Sequence, residues 1–412
     1  MKILLLHNYY RLSGGEDEVF QREKHLLVSA GHEVIEYLRD NNEINDHTLV
    51  QKIVLAAQTA WACDTHRDLK ALLSREKPDI AHFHNTFPLI SPSAYYACAS
   101  AGVPVIQTLH NPRLICPAAT LSRDGKPCED CTRSAFPWPA VRHACYQDSR
   151  VKSALIGSML AGHRLAGTWK SKINRYIVST RFYQRKFAEA GIPGERITLK
   201  PHFVETDPGI RNRPGDYALF IGRLSPEKGI ATLLKAWERL RHVPLRIRGD
   251  GQFAEAVQQA ENAEGSPVTM VPRLSSEDLF QLIRAARFLV WPSEGFYETF
   301  GLVAIEAFAC GVPVIASGLG AMEELVIDGL TGVHFRPADP ADLAGKIEWA
   351  WSHTEELERM GKMARVEFER KYTSEKNLNM LEEIYHQALN EGAAAQMRPS
   401  QSFVCSGRNV AD

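Results

Sequence analysis

The feature that most constrains this 412-residue chain is a repeated alternation of short, continuous apolar runs with longer amphipathic stretches. In the first half the runs are Ile3–His7, Val34–Leu38, Ile80–His84, Val103–Leu109 and Ile177–Thr180. Helical patterns such as Glu16–Ala30 and Ser91–Ala101 lie between them. A strand with one wet face alternates apolar and polar residues, whereas a continuous run implies cover on both faces. Strands covered on both faces and separated by helices are the parts of a parallel sheet wrapped by helices.

The alternation restarts after Pro214 with the strand Tyr217–Ile221 and the helix Ile230–Leu240. Leu245–Arg248, Val268–Val271, Phe288–Trp291 and Pro313–Ala316 follow as strands. One ordinary domain does not use so long a chain. The stretch Val204–Asp216, with Pro208, Gly209, Pro214 and Gly215, reads as the linker. The expected class is α/β: two Rossmann-like doubly wound domains, residues 1–205 and 206–373, facing a central cleft. A helix, Ser374–Asn390, is expected to pack back on the first domain, with residues 391–412 a mobile tail. Ligands of open parallel sheets sit beyond the carboxyl ends of the strands. Functional residues are therefore sought in the loops that follow strands.

Composition narrows the function classes. Hydrophobic residues make up 44% and charged residues 24%, an ordinary globular balance, and the net charge of −1 lacks the basic excess expected of a nucleic-acid binder. The opening run Ile3–Leu6 is too short for a signal-peptide core. No apolar run approaches the roughly 20 residues of a spanning helix. The cytoplasm is the default expectation.

The segment most specific for chemistry runs from Pro292 to Pro313. The strand Phe288–Trp291 ends there, a polar loop follows, and a helix is expected from Gly301 to Gly311, with the Gly stop and Pro313 marking its end. A helix start after a strand offers free N–H groups and a positive dipole end to a phosphate. Glu298 precedes this helix. Glu306 lies inside it among Val303, Ala304, Ile305, Ala307 and Phe308, where a carboxylate needs partners. A second loop, Gly222-Arg223-Leu224-Ser225-Pro226-Glu227-Lys228-Gly229, follows the strand Tyr217–Ile221. Arg223 and Lys228 can together neutralise a leaving diphosphate; a solvated basic loop would carry the same residues. Arg248-Gly249-Asp250-Gly251 is a further strand-to-helix turn, and Val271-Pro272-Arg273-Leu274 follows the next strand. I-to-i+2 histidines His82 and His84 suggest a metal pair, but no third ligand stands out.

Glu298 and Glu306, with seven residues between them, sit in a Pro-Ser-x-x-x-x-Glu-x-Phe-Gly-Leu-x-x-x-Glu-Ala-x-Ala-x-Gly-x-Pro-Val-Ile-Ala pattern that resembles retaining glycosyltransferase family 4 (group 1), of GT-B fold. Gly222-Arg223 through Lys228-Gly229 resembles the same family's phosphate clamp. The resemblance implies that Glu298 contacts the transferred sugar and Glu306 the nucleotide ribose. It implies that the amides near Phe300, Gly301 and Leu302 meet the phosphates, with Arg223 and Lys228 stabilising the departing diphosphate. Gly222 and Gly249 then lie near the nucleotide and Arg273 in the base-binding loop. In the first domain Gly14 and Gly15 match the family's Gly-rich first loop, and His110 its histidine near the donor sugar. Their bland alternatives are a plain turn and an idle loop histidine.

The implied activity is transfer of a hexosyl group from a UDP- or GDP-linked sugar to a glycan or lipid-linked acceptor, in cell-surface polysaccharide biosynthesis. Retention of configuration comes from the resemblance alone. The sequence has no Asp-x-Asp motif of the metal-dependent kind, and no cofactor beyond the donor is expected. The rivals are a sugar-nucleotide epimerase on the same fold and a non-catalytic nucleotide-sugar-binding protein. A glycogen-type phosphorylase would need a lysine-bound pyridoxal cofactor and a longer chain.

Two features stand outside this reading. Cys116, Cys128, Cys131 and Cys145 include a C-x2-C pair in a Pro- and Gly-containing stretch; they are read either as a structural zinc site or as ordinary thiols. Between Arg150 and Lys186 nine basic residues interleave with apolar ones without an acidic residue. This is either a basic face in water over a core-facing stripe, or a peripheral contact with the inner face of a membrane.

Overall fold

The computed structural model describes residues 1–12, 14–44 and 48–396. In chain order its strands are β1 (Lys2–Tyr9), β2 (Glu33–Asp40), β3 (Ile80–Phe83), β4 (Val105–Thr108), the short pair β5 (Ser122–Arg123) and β6 (Lys126–Pro127), β7 (Arg175–Val178) and β8 (Ile197–Leu199). The second half supplies β9 (Ala218–Ile221), β10 (Leu245–Arg248), β11 (Val268–Val271), β12 (Phe288–Trp291), β13 (Val314–Ser317) and β14 (Gly332–Phe335). Two six-stranded sheets result, ordered β2-β1-β3-β4-β7-β8 and β11-β10-β9-β12-β13-β14. All their pairings are parallel. This is the two-domain, Rossmann-like GT-B architecture.

The continuous apolar runs of β1, β3, β4, β12 and β13 become strands covered on both sides, whereas β2, β10 and β11, toward one edge of each sheet, keep exposed or half-buried residues. In β1, Leu4 and Leu6 face a core that includes Phe83, Tyr95, Trp169 and Tyr176. Ile3 and Leu5 face Phe20 and Leu27 of the helix Gly15–Ser29. That second core also takes Leu381, Ile384, Tyr385 and Ala388 from the last helix, Ser374–Gln396, so the end of the chain returns to the first sheet. The helix extends past Asn390, and of the stretch read as a tail, residues 397–412 lie outside the described residues. The two crossings between the halves run side by side: Val204 pairs with Thr373, and its N–H donates to the Tyr372 carbonyl at 3.0 Å.

The sequence reading missed two edge strands. Strand β8 is three residues long and only partly buried. Strand β14 opens on Gly332, a residue depleted in strands; a β-carbon there would lie 1.9 Å from the Val314 carbonyl oxygen, so close approach to β13 demands glycine. The run Ile177–Thr180 shifts to Arg175–Val178 because Thr180 instead caps the helix Arg181–Glu189, its hydroxyl accepting from the Tyr183 N–H.

The sheet orders place the candidate loops. In the second sheet the order reverses between β9 and β12, and in the first between β1 and β3. At such a reversal the following helices leave on opposite faces and a crevice opens at the strand ends. The loops Gly222–Gly229 and Pro292–Gly301 follow β9 and β12. Gly14–Gly15 and His84–Asn85 follow β1 and β3.

Candidate active site

The loops after β9 and β12 are built against each other. Gly229 has φ of 71°, and a β-carbon on it would lie 2.0 Å from the Pro292 carbonyl oxygen. The Glu294 N–H donates to the Glu227 carbonyl at 2.9 Å, and the Thr232 hydroxyl donates to Glu294 at 2.7 Å. Gly301, at φ 123°, precedes the helix Leu302–Ala309; any β-carbon there would strike the Trp291 ring at 2.1 Å. Glycine is thus required for the helix to start directly over the end of β12. Gly311, at φ 70°, follows its last turn.

A cleft of about 1050 Å³ opens between the two halves. Gly14, Gly15 and His110 line it from the first half, and Gly222, Arg223, Lys228, Glu298, Phe300, Gly301, Leu302 and Glu306 from the second. Gly249 and Arg273 are not in it. They line an adjoining pocket of about 250 Å³ that shares Arg248 with the main cleft. The structure therefore brings the expected residues to one groove and places the Gly249 and Arg273 loops at its far end. Ser13, the residue before Gly14 and Gly15, lies outside the described residues.

Charged groups in the cleft pair with one another. Lys228 is ion-paired to Glu298. Burial pulls the Lys228 ammonium down to about 8, with Glu227 opposing and Arg223 assisting. Arg223 is exposed to the cleft. Glu306 accepts a hydrogen bond from Arg22 of the helix Gly15–Ser29 at 2.7 Å; burial pushes its carboxyl above the usual range although Arg22 opposes this. Arg22 also donates to the Phe203 carbonyl at 2.9 Å and pairs with Glu18. Further bonds join the halves: Ser179 to the Thr299 carbonyl at 2.9 Å and Tyr183 to the Tyr297 carbonyl at 2.7 Å. Glu324 caps the helix Arg181–Glu189 from the opposite half, accepting from the N–H groups of Arg181 and Phe182 at 2.8 and 2.9 Å.

Behind the first half's wall lies a buried polar cluster. His110 Nε2 and His84 Nδ1 are 3.0 Å apart, and His110 stacks on His202 with ring centroids 5.8 Å apart. Burial, reinforced by neighbouring charges, holds His84 and His110 well below the ordinary imidazole range, so both are neutral and one donates to the other. His82 lies between Tyr385 and Thr108 at 2.8 and 2.7 Å. The third metal-capable group that the His82/His84 pair lacked in the sequence is Glu23, within 4.8 Å of both. Glu23 already holds a cation: it accepts from Lys200 at 2.6 Å, and Lys200 also donates to Asn377 at 3.0 Å. This buried cluster backs His110, although Glu23 Oε2 and His84 Nε2, 3.6 Å apart, make no hydrogen bond within it.

Sequence reasoning missed Arg22 and Glu16. Glu16 lies in the cleft beside Asn111 and Asn85 (3.2 and 3.4 Å), and burial, with Asp17 adjacent, raises its carboxyl to about 7. Arg22 is one helical turn from Glu18 and reads as an ordinary surface pair; its real partner is 284 residues away.

Seven of the apolar residues interleaved with the basic flank are buried: Ile156, Met159, Leu160, Trp169, Ile173, Tyr176 and Tyr183. Most of the stripe is core, while Leu155 and Leu165 are exposed beside the basic side chains. No helix among the described residues is long and apolar enough to cross a membrane.

Two family models match the chain: "Glycosyltransferase Family 4" over residues 14–208 and "Glycosyl transferases group 1" over 207–367. An uncharacterised glycosyltransferase of Methanocaldococcus jannaschii is 31% identical over 176 residues, 42% of this chain and 49% of that protein. The sulfoquinovosyl transferase of Arabidopsis thaliana is 27% identical over 308 residues, 72% of this chain and 54% of that protein. The chain thus spans about half the length of these curated relatives. Among solved structures, HepE of Anabaena in complex with UDP superposes with a TM-score of 0.63 at 19% identity, over 94% of this chain and all (100%) of that one.

Proposed function

The chain belongs to the group 1, family 4-like glycosyltransferases, and from that premise we propose that it is a retaining, metal-independent hexosyltransferase using a UDP- or GDP-linked sugar. The observation that carries this reading is the convergence in one cleft of Arg223, Lys228, Glu298, Glu306 and the start of the helix Leu302–Ala309, at the point where the second sheet's strand order reverses. A ligand with two phosphates between two hydroxyl-bearing groups matches that order of charges. The HepE complex with UDP favours uridine as the base.

In the proposed reaction the bond from the sugar's anomeric carbon to phosphate breaks, and the acceptor oxygen bonds to that carbon on the same face. The acceptor proton passes to the departing phosphate. Arg223, Lys228 and the amides at Phe300, Gly301 and Leu302 hold the negative charge that develops, which is where fixed donors and cations lower a barrier most. Glu298 exchanges its bond to Lys228 for sugar hydroxyls. Glu306 exchanges Arg22 for the ribose, and His110, fixed by His84, orients the sugar. Gly249 and Arg273 border the base. Residues 1–205 take the acceptor and residues 206–373 the donor. The acceptor is a glycan or lipid-linked glycan of surface-polysaccharide assembly, met at the inner face of the membrane through the basic surface of residues 150–186 with exposed Leu155 and Leu165.

Thermal unfolding with UDP, GDP and ADP tests the donor site. A nucleotide at ~100 times its dissociation constant adds about 2.7 kcal/mol of stability. Glu306→Ala should lose that shift. Folded protein that responds to no nucleotide or nucleotide sugar would overturn the reading. Proton NMR of the product's anomeric signal decides retention.

A further inference from the structure

The segment between β4 and the helix Arg150–Leu165 is long for a connection and nearly without regular structure. It holds only the two-residue strands β5 and β6 and the five-residue helix Trp138–Arg142. Ala119, Leu121, Asp124, Ala144, Gln147 and Asp148 within it have positive φ values of 49–62°. A left-handed backbone is strained for a non-glycine residue and persists only where its surroundings over-determine it. Such a segment needs a local cross-link.

Four cysteines converge at its centre. Cys116, Cys128, Cys131 and Cys145 line one small, partly open void of about 20 Å³, together with Leu121, Ala140 and Arg123. Cys128 is fixed by its N–H bond to the Leu121 carbonyl at 2.8 Å, and Cys145 by its bond to the Ala140 carbonyl at 3.0 Å. The void is of the size that holds one small sphere. Among the described residues, the one group of three metal-capable atoms mutually within 4.8 Å is Glu23, His82 and His84. No three of the four sulfurs therefore lie mutually within 4.8 Å, and an ion at about 2.3 Å from each would draw them inward.

The geometry points to a tetrahedral thiolate site for zinc at Cys116, Cys128, Cys131 and Cys145, a structural staple that shapes one wall of the cleft. On binding, the four thiols release their protons to solvent and four sulfur–zinc bonds form without redox change. The resulting doubly anionic centre has the Arg123 guanidinium at its side, and Arg123 is itself anchored to Asp130 at 2.7 Å. The staple bears on the cleft because Cys145 and the hairpin residues Ser122, Arg123 and Asp124 line it. The Ser122 hydroxyl donates to the Gly295 carbonyl across the cleft at 2.6 Å. Gly295 has φ of 74°, and a β-carbon on it would meet the Gly125 carbonyl oxygen at 2.6 Å, so the stapled hairpin touches the loop that carries Glu298. This inference stands independently of the sugar-transfer reading.

The test is made on the full chain, purified under reducing conditions without chelator. Elemental mass spectrometry should find about one zinc per chain. Cys131→Ser should lose it, and Cys98→Ser, a buried thiol outside the cluster, should keep it. Cobalt chloride added to the metal-stripped, folded wild type should give the intense visible bands of a tetrahedral cobalt thiolate, and zinc chloride should slow proteolysis within residues 117–148. A metal-free wild type whose reduced, folded form binds neither zinc nor cobalt overturns the proposal. So does a native disulfide between any two of the four cysteines. If Cys131→Ser does not fold, the wild-type stoichiometry and the cobalt spectrum decide.

Discussion

The molecule contains two lysine–glutamate pairs that look alike in a residue list and differ in kind. Lys200 and Glu23, in the first half, are both fully excluded from solvent at 2.6 Å, with Asn377 on the same ammonium and His84 Nε2 3.6 Å from the carboxylate. Lys228 and Glu298, in the second, form the cleft wall, with the lysine side chain 28% exposed. The first pair is enclosed by protein partners, and a ligand cannot reach it without unfolding the wall. The second faces an open volume and can exchange its internal partner for a phosphate on one side and a sugar hydroxyl on the other. Burial turns the same ionic contact into a support in one place and a binding surface in the other.

Removing one member of each pair separates the two roles. Lys200→Met leaves Glu23 buried without its cation and should cost about 3–5 kcal/mol of stability, read as a lowered urea midpoint; an unchanged midpoint would erase the distinction. Lys228→Ala and Glu298→Ala should lower that midpoint less than Lys200→Met does, because the Glu298 side chain, 6% exposed, borders the open cleft, and should lower kcat/KM by about 10²–10³-fold. Full activity in either variant would remove the pair from the site.

The pairs should also differ in their response to pH. Lys228, brought down to about 8 by burial, is protonated below that pH and neutral above it. A charge that serves the leaving diphosphate is therefore present on the acid side, and kcat/KM should fall by up to tenfold per unit above about pH 8. Lys228→Arg, which stays charged, should move that limb to higher pH. A smaller effect belongs to Glu16, whose carboxyl is raised to about 7 and which ionises above that value. Glu16→Gln should remove an inflection of kcat/KM near pH 7 and leave the alkaline limb in place; an unaltered profile would make Glu16 a bystander.

The two sheets extend the comparison. Both were legible as alternating apolar runs and amphipathic helices, because burial on two faces is written into every residue of a strand such as Ile3–Leu6. The edge strands β8 and β14 were not, because at three or four residues with threonine, histidine or glycine the signal is too weak to rise above loop composition. The order of strands was invisible. The first sheet reverses between β1 and β3 and the second between β9 and β12, a choice made by which helix covers which face.

Around the cleft, the residues legible in the sequence were those whose neighbours in the chain make them anomalous. Glu306 stands in an apolar helix, Gly301 and Gly229 stand where a strand must turn into a helix, and Arg223 and Lys228 flank one strand end. Local chemistry alone marks such positions. Arg22, Glu16 and the Glu23–Lys200 support have unremarkable neighbours in sequence and acquire their meaning from partners far along the chain. The four cysteines fall between: their clustering was visible, but only the fold brings them around one void. The sequence by itself determined most of the strands and helices and the cluster of charges and glycines at strand ends, since these depend on contacts within one or two turns of chain. The tertiary structure decided which charges are enclosed and which remain open to a ligand, because burial is a property of the whole packed molecule.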